Sequence, residues 1–458
     1  MRDAVVRTRQ GDVRGTVGDG VVTFKGVPFA AAPEGALRFR APAPPAAWDG
    51  VRDASAFGAA PPQPPPAPGV PPAWRPGDGL DCLTLNVWTP APGSARLPVM
   101  VWLYGGRWEI GAAGLPQYDG ARLARSGVVV VTVNYRVGFE GFGHVPGAPD
   151  NRGLLDQLAA LRWVRENAAA FGGDPDNVTV FGQSAGAASA AFLASAGTGL
   201  FRRVIAQSIP NGLVTPGEAR RTTERVADAA GVSVADLASL PPEEIVRVQP
   251  PGAFGPVADG ELVTGPPWAR IRPDVDLVCG FTHEEYRSFA PVVDPAGVDP
   301  VQVAAAVGLP AGAVDAYRAA LPGADGAALF TAIMSDAVVR MPTTWAAENH
   351  ARAGGRTWLY DFTWRGAAFG ACHGVDVPFT FGDATSRFAR RFLGDPPAGF
   401  EALSGALRAS WTAFAATGDP GWPRFTPPAG RTRLWDASPA DVPYPLAGIR
   451  AVWRDPAA

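Results

Sequence analysis

Ser184 lies in the stretch NVTVFGQSAGAASAAFL, residues 177 to 193, at the centre of a G-x-S-x-G pattern that runs from Gly182 to Gly186. Val178 and Val180 alternate as in a strand and the Ala-rich run after the pattern reads as a helix, so Ser184 is predicted on a tight strand-to-helix turn. That setting suits a nucleophile. The turn strains the serine backbone and lifts its hydroxyl, and small neighbours let a substrate carbonyl approach. In a chain with 55 glycines the pattern alone is a weak signal. A serine nucleophile also needs a base to take its proton and a third group to orient that base.

Histidine is scarce, so the candidate bases are few: His144, His283, His350 and His373. His350 falls in the helix-like TTWAAENHARAGG and reads as a surface residue, and His144 follows a Gly-rich loop with no evident partner. His283 precedes Glu284 and Glu285, a pattern that equally describes a solvated charged turn. His373, in ACHGVDVPF, sits in a loop flanked by Gly and Ala after a strand candidate, where an imidazole can be closely approached.

The elements that must position these groups are legible as apolar runs. CLTLNVW (82 to 88), LPVMVWLY (97 to 104), VVVVTVNYR (128 to 136), VIAQS (204 to 208), VDLVCGF (275 to 281) and TWLYDF (357 to 362) read as strands. Helical patterns lie between them; residues 152 to 171 carry Leu154, Leu155, Leu158, Leu161 and Val164 at helical spacing, with Asp150 and Asn151 as available caps. Near-continuous apolar strands separated by helices predict an α/β fold, a mainly parallel sheet covered on both faces. Functional groups in such sheets gather beyond the carboxyl ends of the strands. Residues 1 to 57 read as short strands and turns, and the Pro-rich PPQPPPAPGVPPAWRP, residues 61 to 76, as a surface loop in preference to a segment that docks a partner domain.

Composition narrows the class of partner. A chain with 47% hydrophobic and 18% charged residues builds a sizeable core, and a net charge of -3 gives no general attraction to nucleic acid or to an acidic membrane. A small molecule is the expected partner. Of 40 basic residues only Lys25 is lysine, which reads as GC-rich coding and not as a phosphate-binding surface. Cys82, Cys279 and Cys372 show no metal-ligand or redox spacing, and a disulfide framework is not expected. The N-terminal MRDAVVRTRQGDVRG has no apolar core segment of a secretory signal, and the longest apolar run, Val128 to Val133, is far short of the ~18 residues of a membrane helix. These features point to a soluble, cytoplasmic protein.

Seven stretches together resemble the type-B carboxylesterases, the esterase and cholinesterase branch of the α/β-hydrolases. They are FKGVPFAAAPEGALRF (24 to 39), DCLTLNVWTP (81 to 90), LPVMVWLYGG (97 to 106), VVVVTVNYRVG (128 to 138), the long run from Asn151 to Ser189, CHGVDVPFTFG (372 to 382) and FAATGDP (414 to 420). The resemblance spans nearly the whole chain and implies one α/β-hydrolase domain over residues 1 to 458, with inserted loops and helices forming the rim of the cleft. It implies a serine carboxylic-ester hydrolase with Ser184 as nucleophile and His373 as base. The family's T-x-D-E-G-x-x-F segment reads THEEYRSF here, from Thr282 to Phe289, which selects Glu285 as the acid and leaves Glu284 beside it. The chain order Ser, Glu, His is that of an α/β-hydrolase. The implied oxyanion donors are the amides of Gly106, Arg107 and Ala185. No metal or organic cofactor is implied.

Departures from the family pattern cluster near the expected site. Tyr104-Gly105-Gly106-Arg107-Trp108 places Arg107 where the family has a third glycine, which weakens the oxyanion hole, brings a guanidinium to the acyl site, or turns away to solvent. Gln183 replaces the glutamate before the serine and removes a charge that would favour protonated His373, so a base of lower pKa than in relatives is expected. Tyr286 replaces the glycine after the acid, Ile209 the glycine after Ser208, and Glu140 adds a charge to GFEGFG. Gly105, Trp108, Gln183, Glu140 and Phe289 are expected to line the pocket, with Trp268 and Phe369 near its loops. The competing readings are an enzyme of specialised metabolism that diverts the same triad to acyl transfer, cyclisation or elimination, and a non-catalytic binding protein.

Overall fold

Val129–Val133, sequence VVVTV, is a strand with every side chain buried, which is what a β-branched run does at the centre of a sheet covered on both faces. The computed structural model describes residues 2–289, 297–428 and 430–457. Its strands are β1 (Arg2–Arg7), β2 (Asp12–Gly18), β3 (Val21–Pro28), β4 (Val51–Asp53), β5 (Thr84–Thr89), β6 (Leu97–Leu103) and β7 (Val129–Val133) in the first part of the chain. β8 (Gly173–Gln183), β9 (Arg203–Gln207), β10 (Asp276–Thr282), β11 (Thr357–Phe362), β12 (Arg431–Trp435) and β13 (Ala440–Pro443) follow.

One sheet holds them in the order β1-β2-β3-β5-β7-β6-β8-β9-β10-β11-β12-β13, with β4 beside β2. From β7 to β12 every neighbouring pair is parallel. The predicted runs at 82, 97, 128, 204, 275 and 357 are all strands, within two residues at each end except at 128 to 136, where the strand stops at Val133. Residues 1 to 57, read as short strands and turns, hold β1 to β4: β1, β2, β3 and β5 are antiparallel neighbours in that order, and β4 runs parallel to β2. This is the α/β-hydrolase architecture that the sequence resemblance implied. Among the described residues no helix is long and apolar enough to cross a membrane.

The helix predicted from residue 152 runs Arg152–Asn167 and ends in a 3-10 turn, Ala168–Phe171. Asn151 occupies its N-cap position at φ 57° but its side chain does not cap. It reaches instead across the chain, donating to Val257 O at 2.8 Å and accepting from Val257 N at 2.7 Å, and so ties a distant loop to the helix start.

The Pro-rich loop is not a free arm. Gln63 is buried and pairs with Gly111 twice, donating to its carbonyl and accepting from its amide, both at 2.7 Å. Trp74 closes a small apolar cluster with Ala60 and Ala112. Midway along the loop Gly69 O accepts from Arg387. The loop thus spans from the segment after β6 to the helix Arg387–Leu393, whose Phe388 lies against Gly374.

A buried ion pair fixes the loop after β7. Arg136 and Asp156 are both fully buried, and Asp156 accepts from the Arg136 amide at 3.0 Å and from the guanidinium at 2.8 and 2.7 Å. Removing one partner strands the other charge out of water. Asp156→Ala is expected to lower unfolding free energy by about 3–5 kcal/mol, read by chemical denaturation; a loss under about 1 kcal/mol would show that the pair is not desolvated as described.

Candidate active site

β6, β8, β10 and β11 point their carboxyl ends to one edge of the sheet, and each delivers one part of the site. Ser184 follows β8 and begins the helix Ala185–Ser195 with φ 57° and ψ -123°, a conformation that an L-residue adopts only when its surroundings enforce it. The enforcement is visible in the glycines. A Cβ on Gly186 would lie 1.9 Å from Leu103 O, and one on Gly105 would lie 2.6 Å from Gln183 O and 3.0 Å from Ser184 Cβ. The end of β6 and the serine turn therefore touch backbone to backbone.

Glu285 follows β10 and is nearly fully buried, yet each carboxylate oxygen is engaged. Oε1 accepts from Ser208 Oγ at 2.6 Å and from the Thr282 amide at 2.8 Å, and Oε2 lies 2.5 Å from His373 Nδ1. A carboxylate there takes the imidazole hydrogen on Nδ1 and leaves Nε2 as an acceptor. The loop that carries His373 after β11 is stitched to the acid loop: Glu284 N donates to Ala371 O, Ala371 N donates to Glu284 Oε2, and His373 N donates to Glu285 O. Glu284 itself is held by Arg287 and Arg365 at 2.8 and 2.9 Å.

Burial pulls the His373 imidazole down, but the charge and hydrogen bond of Glu285, with Asp376 behind, outweigh it and raise the ring above its usual value. The His373 ring is thus held up by Glu285, whatever charge the change to Gln183 removes. Asp376, three residues beyond His373, is pushed up to about 6, chiefly by burial and against the hydrogen bond that it accepts from Gln207 at 2.7 Å.

The sequence-predicted oxyanion donors meet at the same edge. Gly106 has φ 130° and no room for a Cβ, which would fall 2.1 Å from Ile110 O. Among the described residues the amides of Gly106, Arg107 and Ala185 donate to no protein acceptor. Arg107 adopts φ 58°, so it keeps the backbone that a glycine would take. Its side chain is exposed and lies 3.3 Å from Oε2 of the buried Glu109. Of the readings open for its side chain, the exposure fits a turn to solvent.

Some predicted pocket residues lie elsewhere. Glu140 is buried in an ion pair with Arg38 at 2.5 Å, so its charge is spent in the fold and not in a pocket. Trp108, also at positive φ, is buried, fills the space left by Gly212 and donates to Ser189 Oγ at 2.9 Å. Trp268 packs at a tilt against Trp345 in the core, and Phe369 packs edge-on against Phe392. Phe289 does lie beside the site, 5.7 Å from the His373 ring, and Gln183 and Gly105 border it.

The other histidines are accounted for. His350 is not a surface residue: it is buried between Thr357 Oγ1 and Arg272 O, and burial lowers its pKa. His144 does have a partner, Asp150 at 3.1 Å, and His283 pairs with buried Asp361 at 2.8 Å. Ser208, Gln207 and Asp376 were not singled out from sequence as parts of the site; their types carry no signal until the strands bring them together.

A hydroxyl on a strained turn, an imidazole oriented by a buried carboxylate and unengaged amides opposite suit acyl transfer, the chemistry of serine hydrolases with this fold. Comparison with known proteins narrows the class. The profile of the carboxylesterase family matches residues 2–304 and 324–440. A para-nitrobenzyl esterase of Bacillus subtilis is 34% identical over 95% of this chain and 96% of its own. A phenmedipham hydrolase of Pseudarthrobacter oxydans is 35% identical over 92% of each. Among solved structures, a carboxylesterase of Geobacillus stearothermophilus superposes with a TM-score of 0.89 at 34% identity, covering 98% of this chain and all of the other. The chain belongs to the carboxylesterase family and is a carboxylic-ester hydrolase, which sets aside the reading as a non-catalytic binding protein.

Two measurements check the geometry. The His373 ring protons should titrate above the ordinary value of 6.5 in the NMR spectrum. In Glu285→Gln the raising interactions are largely gone while burial remains, so the midpoint should fall; an unmoved midpoint would contradict the pairing. Arg107→Gly should leave the turnover of a small ester within about threefold, because only the amide faces the site. It should also gain up to about 1 kcal/mol of stability, since the strain relieved exceeds the entropy that glycine adds to the unfolded chain.

Proposed function

We propose that Ser184, His373 and Glu285 are the catalytic triad of a hydrolase of small-molecule carboxylic esters, acting as one unit over residues 1 to 458. His373 Nε2 takes the hydroxyl proton as Ser184 Oγ attacks the ester carbonyl. The amides of Gly106, Arg107 and Ala185 receive the oxyanion, without backbone rearrangement at the moment of reaction. Collapse expels the alcohol, which leaves with the proton held by His373. Water then attacks the acyl-enzyme, giving its proton to the same nitrogen, and the acid departs as Ser184 recovers its hydrogen. Glu285 keeps the ring in the productive tautomer and stabilises the imidazolium formed in each half.

The contact from Glu285 to His373 at 2.5 Å carries this reading, because it commits one ring nitrogen and turns the other toward the serine turn. Relatives named for para-nitrobenzyl esters, phenmedipham and fumonisin B1 support an organic small molecule as substrate. We place Phe289, Gly105 and Gln183 at the wall of its pocket. Cys82, Cys279 and Cys372 are each buried and unpaired, in line with a cytoplasmic setting. The alternative of diverted chemistry in specialised metabolism has less support: of Arg107, Glu140 and Gln183, only Gln183 touches the base.

A fluorophosphonate should label Ser184 in the intact protein, and Ser184→Ala should abolish labelling and lower kcat on a p-nitrophenyl ester by at least roughly 10⁴-fold. Labelling at another residue, or a folded Ser184→Ala protein with appreciable activity, would refute the assignment.

A further inference from the structure

The acceptor nitrogen of His373 is already occupied. Its Nδ1 is committed to Glu285, and into Nε2 donates the side-chain amide of Gln183 at 3.0 Å. The Ser184 hydroxyl, which needs that same lone pair, makes no hydrogen bond to His373. The amide lies close to two glycines: a Cβ on Gly105 would lie 2.8 Å from Gln183 Oε1, and one on Gly374 would lie 3.7 Å from Nε2. Gln183 is largely buried, so water competes little for the bond.

We propose that Gln183 is a positioning residue that caps the base nitrogen in the resting enzyme, so that Ser184 is activated only when a bound substrate displaces the amide. The inference rests on the assignment of His373 as the base of Ser184. A lone pair that accepts from an amide is withheld from the serine hydroxyl. The same bond stabilises the neutral ring, since a donor aimed at Nε2 has no lone pair to meet once that nitrogen is protonated. The charged groups facing His373 are Glu285 on Nδ1 and Asp376 from the following helix; Phe289 is apolar and Gln183 neutral, so the cap acts through its hydrogen bond and not through charge. A glutamate in this position could not cap, having no hydrogen to donate to a neutral imidazole.

The test is the second-order rate of inactivation by a small fluorophosphonate, measured against pH on the full chain. Gln183→Met keeps the length and removes the donor. Its high-pH plateau should rise about three- to tenfold, and its acid limb should move up by about half a unit to one unit, the worth of one amide hydrogen bond. A side chain with only a packing role would not move the limb upward while speeding the reaction. A plateau no higher than that of the parent, or a limb that stays or moves down, overturns the proposal. Gln183→Leu provides a second donor-free variant if Gln183→Met does not fold. The underlying site is judged separately: if His373→Ala is inactivated as fast as the parent, the triad reading fails, whereas a limb that depends on His373 with no effect at Gln183 refutes the cap alone.

Discussion

Two backbones pass within van der Waals contact where β6 ends and β8 turns into its helix, and the rest of the site depends on that crossing. Gly186 lies against Leu103 O and Gly105 against the Gln183 carbonyl, each without room for a methyl group. The crossing has two effects at once. It forces Ser184 into a conformation costing about 1–3 kcal/mol, and it sets the amides of the segment after β6 next to the hydroxyl. A wider separation would relax the serine and remove the donors together. Glycine in this pattern is therefore a matter of clearance between strands as much as of turn conformation.

Behind the crossing, the oxygens of Glu285 are buried and paired, while among the described residues Thr282 Oγ1 and Asp376 Oδ1 are buried without a hydrogen-bond partner. Glu285 accepts from Ser208, from the Thr282 amide and from His373, so a charge that would be costly in isolation is held by three donors. Its neighbour Glu284 is fixed by two arginines and by backbone of the loop that carries His373. The acid loop and the base loop are consequently one mechanical piece. Two residues that depart from the family pattern fit this packing: Ile209 lies fully buried, and Tyr286 packs on Phe330.

Much of this was legible in the amino-acid order because it rests on local signals. Apolar strand runs, the small residues around Ser184, and the segments around Glu285 and His373 each announce themselves within ten or so residues, and strand ends then bring them to one edge. What was not legible depends on partners far away in sequence. Glu140 looked free for the pocket because Arg38, which neutralises it, stands 102 positions earlier. His350 looked exposed because the Arg272 carbonyl that shares in burying it belongs to another loop. Arg107 is the exception, since its partner Glu109 stands only two positions on and what was missing was the positive φ at Arg107. The Asn151 side chain, read as a cap, is drawn away by Val257.

The Pro-rich loop joins the two halves of the site from outside. It is pinned at Gln63 to the segment after β6 and touches, through Gly69, the helix that backs the His373 loop. Between these anchors its side chains are largely exposed and belong to no strand or helix. A change of length in residues 64 to 68 would therefore leave the buried contacts of Glu285 with Ser208, Thr282 and His373 untouched.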